Sequence, residues 1–148
     1  MSDEPAGPID VLVVEDDSGD VRRLHEAFAE LDHRISIDVA ADGAEALALL
    51  TDCTDEPSSL PDLVFLDLDL PRMGGLELLE AVSDELVLAR IPILVVTRST
   101  NGEDIRESYD LAANAYLPKP TDEAGYDELA TAVAEFWFER ALMPTAAL

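Results

Sequence analysis

The sequence contains one lysine, Lys119, and one cysteine, Cys53. A single cysteine excludes an internal disulfide, and residence in the reducing cytosol is the simplest expectation. No apolar run reaches the ~18 residues of a membrane-spanning helix, so no membrane association is expected. The stretch Met1–Asp10 has neither a positive charge nor an apolar segment and does not read as a signal peptide. Basic residues are scarce throughout: 9 against 33 acidic ones give a formal net charge of −24. That balance argues against a nucleic-acid partner, whose own backbone is negative.

The 148 residues, 48% of them hydrophobic, suffice for one domain with a real core. So much like charge on a small body repels itself and weakens the compact state. Salt relieves this, because the Debye length falls to about 3 Å at 1 M. The acid-rich, lysine-poor composition resembles that of proteins from salt-loving microbes. Docking on a basic partner is the other reading of the same charge.

Residues 1–8 read as a polar tail, 9–142 as the domain and 143–148 as a second tail. Short apolar runs occur at Ile9–Val14, Ile35–Ala40, Leu63–Leu66, Ile91–Val96 and Asn114–Leu117. Three are continuous and rich in Val, Ile and Leu, as strands buried on both faces of a parallel sheet are. Between them lie helical stripes: Val21, Leu24, Phe28 and Leu31; Leu76, Leu79, Val82 and Leu86; Leu129, Val133, Phe136 and Arg140. Asp42 with Glu45, and Thr100 with Glu103, have the spacing of capping boxes. The helix near Gly102–Ala113 offers few apolar residues and is expected to be the least firmly held. Alternating strands and helices predict a three-layer α/β domain around a parallel sheet with right-handed crossovers. In Phe136–Leu142 large apolar groups sit on adjacent positions, which fits a homodimer or partner contact, or a well-packed terminal helix.

In such a sheet the site lies beyond the carboxyl ends of the strands. There the sequence places Glu15, Asp16 and Asp17, then Asp67 and Asp69, then Thr97, then Lys119 and Pro120. Clustered carboxylates repel one another, and Mg²⁺, which prefers oxygen ligands, relieves that repulsion. One carboxylate can then act as a nucleophile toward phosphorus, with a lysine and a hydroxyl to stabilise the phosphoryl oxygens. Taken one at a time, these residues also read as a solvated acidic turn, a strand end and a surface Lys-Pro pair.

The segments VLVVEDD, LVFLDLDLPRMGGLELL, PILVVTRS and ANAYLPKP, in this order, resemble the signature segments of response-regulator receivers over about Ile9–Arg140. The resemblance implies a flavodoxin-like, doubly wound, five-stranded sheet of order 2-1-3-4-5. It makes Asp67 the phosphoacceptor, Glu15 and Asp16 the acidic pair that holds Mg²⁺, and Asp69 a ligand through its carbonyl. It makes Thr97 the switch hydroxyl, Tyr116 the aromatic switch and Lys119 the cation that pairs with the phosphoryl group, and it implies a cis bond before Pro120. The phosphoryl donor would be a sensor histidine kinase, and the output a downstream protein or a phosphotransfer partner. VEDDSGDVRRL and the Thr51–Pro61 loop resemble receivers that partner phytochrome-type kinases.

Several positions depart from the pattern. Glu15 replaces an aspartate, Gly74-Gly75 predicts a looser turn, and Arg98 brings bulk beside Thr97, where it would crowd the route of water or a small phosphodonor. Pro118 and Thr121 flank Lys119-Pro120. Two rivals are an unphosphorylated binding module of the same fold and an aspartate-nucleophile phosphatase. The second usually carries Asp-x-Asp after its first strand, whereas Asp67-Leu68-Asp69 follows the third.

Overall fold

A computed structural model describes residues 8–138. The last residues of the expected domain, Arg140 and Leu142 among them, lie outside the described residues, as do the C-terminal tail and most of the N-terminal one. The strands are β1 (Ile9–Val14), β2 (Ile35–Ala40), β3 (Leu63–Leu66), β4 (Ile93–Thr97) and β5 (Ala115–Pro118). The helices are α1 (Ser18–Ala29), α2 (Gly43–Asp52), α3 (Gly75–Ser83), α4 (Gly102–Asp110) and α5 (Glu123–Val133), the last running on into a π turn at Ala134–Phe138. All strand pairs are parallel, in the order β2-β1-β3-β4-β5.

The order explains the composition of each strand. β3 and β4 are buried throughout, and both have neighbours on each side. Edge strand β2 is at most partly buried from Ile35 to Val39 and fully buried only at Ala40. Along the central strands successive side chains serve opposite faces. Leu12, Val14, Val64, Leu66 and Val95 pack with α2 and α3 through Leu50, Leu78 and Val82. Val11, Val13, Phe65, Leu94 and Val96 pack with α1 and α5 through Leu24, Phe28, Tyr126 and Val133. Burying a Leu or Phe side chain contributes roughly 1.5–3 kcal/mol, so these two layers dominate the stability. Among the described residues no helix is long and apolar enough to cross a membrane.

Three local expectations need correction. Leu86 is 86% exposed, because α3 stops at Ser83; Leu78 takes the core place instead. Asn101, not Thr100, caps α4, its side chain accepting from the Glu103 N–H at 2.7 Å. The Gly74-Gly75 turn is pinned rather than loose. The Gly75 N–H donates to the Leu68 carbonyl at 3.1 Å, and the Glu77 carboxylate accepts from the Gly74 N–H. Gly75 is required there, since a Cβ would stand 2.6 Å from the Asp67 carbonyl oxygen.

In α4 only Ser108 is buried, and Tyr109 is half exposed, so this helix has the smallest stake in the core. The net charge of −24 predicts a salt-stabilised fold. Raising sodium chloride from 0.1 to 1 M is expected to add about 1–3 kcal/mol, or roughly 3–10 °C in melting temperature by calorimetry. An unchanged melting temperature would sink the link between charge and stability.

Candidate functional site

The register brings the site together. Val14 pairs with Leu66 and Thr97 with Pro118, so Glu15, Asp67, Thr97 and Lys119 leave the same edge of the sheet. The Asp67 N–H donates to the Val14 carbonyl and the Lys119 N–H to the Thr97 carbonyl, which fixes the backbone at each strand end. Glu15, Asp67, Thr97 and Lys119 are all buried, a costly place for three charges unless they pair.

Lys119 provides the pairing. Its Nζ lies 2.6 Å from Glu15 Oε1, 2.9 Å from Asp20 Oδ2 and 3.1 Å from Asp67 Oδ2. Burial would lower the ammonium's pKa, but hydrogen bonds to Glu15 and Asp20, and the nearby charges, outweigh it and raise the pKa. At Glu15 burial prevails: more than Lys119 offsets, it pushes the carboxyl from 4.5 up to about 7, with Asp67 adding repulsion. The expected cis bond before Pro120 is not found: no cis peptide occurs among the described residues. Trans is the ordinary X-Pro isomer by about 0.5–1 kcal/mol, and the contacts of Lys119 on both its N–H and its ammonium are made with the trans chain.

Glu15, Asp16 and Asp67 each offer a carboxylate oxygen, all within 4.8 Å of one another. An all-oxygen set of this kind fits a hard divalent cation such as Mg²⁺. Asp16 is the exposed member, and the Asp69 side chain also faces solvent. The Asp69 N–H donates to Asp67 Oδ1 at 3.2 Å and orients the carboxylate. A cleft of about 460 Å³ opens beside Asp67, with Leu68 and Asp69 on one wall and Thr97, Arg98 and Ser99 on the other.

Tyr116 is half-buried. Its hydroxyl donates to the Ser99 carbonyl at 2.8 Å, and its own N–H donates to the Tyr109 hydroxyl at 3.1 Å. This ties β5 both to the loop after Thr97 and to α4. Ser99 Oγ donates to Asp104 at 2.6 Å, fastening that loop to the first turn of α4. Arg98 reaches toward α1, its Nη2 lying 3.2 Å from Asp20 Oδ2, while its own side chain stays largely exposed.

Asp20 is a site residue that the strand-end pattern of the sequence does not reveal. It is buried and meets Lys119, Arg98 and the Tyr126 hydroxyl. Its position held a signal: Asp20, Leu24 and Phe28 form one stripe of α1, so a carboxylate stands on the buried face and needs a buried cation.

The family profile of the response regulator receiver domain matches residues 11–133. The chain belongs to the response-regulator receiver family. It is 36% identical to the response regulator Rcp1 of Synechocystis over 99% of this chain and all of that protein. Among solved structures, the phosphorylated cyanobacterial phytochrome response regulator RcpA superposes with a TM-score of 0.85 at 34% identity, covering 94% of this chain and 99% of that one. The Mn²⁺-bound form of Rcp1 does so with a TM-score of 0.83 at 32% identity, covering 93% and 99%. The receiver fold and the sheet order expected from the sequence are therefore those of the relatives, one of which holds a divalent metal.

Proposed function

We propose that this receiver accepts a phosphoryl group on Asp67 from a cytosolic histidine kinase, in a Mg²⁺-dependent step, and transmits the change through Thr97 and Tyr116 to a protein partner. The observation that carries the reading is the placement of Asp67. It is buried at the carboxyl edge of the sheet, between an acidic cluster and the one lysine, and it faces an open cleft. The Asp67 oxygen forms the O–P bond as the P–N bond of the donor phosphohistidine breaks, and the protonated donor ring leaves as neutral imidazole. Glu15, Asp16, Asp67 and the Asp69 carbonyl would hold Mg²⁺. When bound, the ion screens the charge of the acidic cluster and of the transferring oxygens. Lys119 and the Thr97 hydroxyl bind the new oxygens, and the tie from Tyr116 to Ser99 links that event to the weakly held α4.

The likeness to RcpA supports a phytochrome-type kinase as the donor. The 57% exposed Phe136 supports a homodimer contact at the end of α5, which sedimentation would test. The phosphatase rival has less support, given the family match and the place of Asp67 after β3.

Incubation with a histidine kinase and ATP in high salt, followed by intact mass measurement, tests the central reading. A gain of one phosphoryl group that disappears in EDTA is expected. No gain, with a known receiver labelling alongside, would favour the unphosphorylated binding module.

Glu15 adds a pH signature. A metal ion competes with the proton that Glu15 retains up to about pH 7. Mg²⁺ affinity, measured by calorimetry, is expected to fall by up to about tenfold per pH unit below 7. The metal-free fold should respond in the opposite sense. A carboxyl raised on folding contributes stability that is complete below 4.5 and is lost as pH rises toward 7. A flat affinity between pH 5.5 and 7.5 would remove Glu15 from the metal site.

A further inference from the structure

Three carboxylates meet the Lys119 ammonium, and two of them, Glu15 and Asp67, also belong to the cluster suited to a divalent ion. Both therefore change partners when the metal site fills, and Asp67 gives up its carboxylate charge when it becomes an acyl phosphate. Asp20 does neither. It lies outside the cluster, on α1, and is 4% exposed. Its Oδ2 takes Lys119 Nζ at 2.9 Å and Arg98 Nη2 at 3.2 Å, and its Oδ1 takes the Tyr126 hydroxyl at 3.2 Å. The carboxylate is thus held from α5, from the residues just beyond β4 and β5, and from its own helix, where Arg23 Nη1 lies 3.5 Å from Oδ1. The space beside this network amounts to about 20 Å³, room for about one water molecule.

We propose that Asp20 is a positioning residue for phosphoryl transfer: it is the constant anchor of the Lys119 ammonium, holding it beside Asp67 while Glu15 and Asp67 change partners. The proposal rests on the phosphoacceptor reading of Asp67. A lysine stem has four rotatable bonds, and an ammonium is a compact point charge with no planar fork to fix its direction. Without a third carboxylate, Lys119 would follow whichever of its other two partners stayed charged. With Asp20 in place, the cation is already at the point where the phosphoryl oxygens arrive, which is the preorganisation such a transfer needs. Burial alone would raise the carboxyl of Asp20, but Lys119, with Arg98 and Tyr126, outweighs it and holds the group below the ordinary aspartate value, so the anchor keeps its charge.

Asp20→Asn tests this in the full chain. Because the sequence has one lysine, labelling with lysine carrying ¹⁵N at the side-chain nitrogen gives one ammonium resonance, from Lys119. In the wild type that resonance should be sharp and slow to exchange with water. In Asp20→Asn the exchange should accelerate about tenfold or more, and the phosphorylation rate at saturating kinase should fall about tenfold. The half-saturating kinase concentration should stay within about twofold, since docking of the kinase does not depend on where Lys119 points, and Mg²⁺ is kept saturating for both proteins. Asp20→Glu should restore part of both losses. Tyr126→Phe, which removes only the hydroxyl that orients Asp20, should move both readouts the same way by about two- to threefold, and it serves if Asp20→Asn does not fold.

A wild-type rate in Asp20→Asn, or a slower rate with an unmoved ammonium signal, would overturn the proposal. A wild type that takes no phosphoryl group would instead overturn the phosphoacceptor reading, while the resonance still reports whether Asp20 anchors Lys119.

Discussion

Asp67→Asn will lower phosphoryl acceptance by at least about 10³-fold, since removal of a nucleophile typically costs that much or more. The substitution is nearly isosteric. The amide oxygen can still accept the Asp69 N–H that now reaches Asp67 Oδ1 at 3.2 Å, so the β3–α3 turn keeps its geometry. What disappears is the negative oxygen that attacks phosphorus and one of three oxygens suited to the metal. The loss should therefore appear in both phosphorylation and Mg²⁺ affinity, with an unchanged circular dichroism spectrum. Asp52→Asn, an exposed carboxylate at the end of α2, controls for the loss of one charge from a chain of net charge −24. A label of wild-type size on Asp67→Asn would move the acceptor to another carboxylate, and peptide mapping would find it.

The fold was legible because the sheet is parallel and covered on both faces. Leu63–Leu66 and Ile93–Val96 are unbroken apolar runs that only a central strand can use, and both are buried. Helix ends were less legible. Leu86 continues the stripe of α3 by spacing alone, but the helix has stopped three residues earlier, and a side chain beyond the end no longer follows a helical period. Asn101 outcompetes Thr100 as the cap of α4 because its side-chain oxygen reaches the Glu103 N–H.

The strand-end residues could be placed together from the topology, since a parallel sheet sends every carboxyl end the same way. Asp20 could not be found by that route, because it comes from a helix face. Its partners, Lys119 and Tyr126, are 99 and 106 residues away in sequence. The bond before Pro120 was open in the residues themselves, since cis and trans differ by only about 0.5–1 kcal/mol and nothing in the local sequence decides between them. Arg98 showed its bulk in the sequence but not its direction. Its guanidinium turns to Asp20 on α1 rather than lying free beside Asp67.

Lys119→Met will destabilise the metal-free protein by about 3–5 kcal/mol, the range for breaking a buried ion pair from one side. Methionine fills most of the lysine's volume, so the loss is electrostatic and not a cavity effect. Glu15, Asp20 and Asp67 would be left buried within one another's reach, with the largely exposed Arg98 and the half-buried Arg23, both on Asp20, as the cations still in contact. Carboxyls in that state hold their protons to higher pH, and the folded variant then binds more protons than its unfolded chain. Its deficit should therefore be largest near pH 8 and shrink as pH falls toward 5. Mg²⁺ should return part of the loss, because a divalent cation at Glu15 and Asp67 does for them what Lys119 did, with a gain that follows RT ln(1 + [Mg²⁺]/Kd). Urea titrations in 1 M sodium chloride, at pH 5 and 8, with and without Mg²⁺, separate these terms, and the salt keeps the general repulsion of the −24 chain out of the comparison. A loss below about 1 kcal/mol at pH 8 would mean that the carboxylates are solvated or protonated without the lysine, and that its buried place serves the phosphoryl group alone.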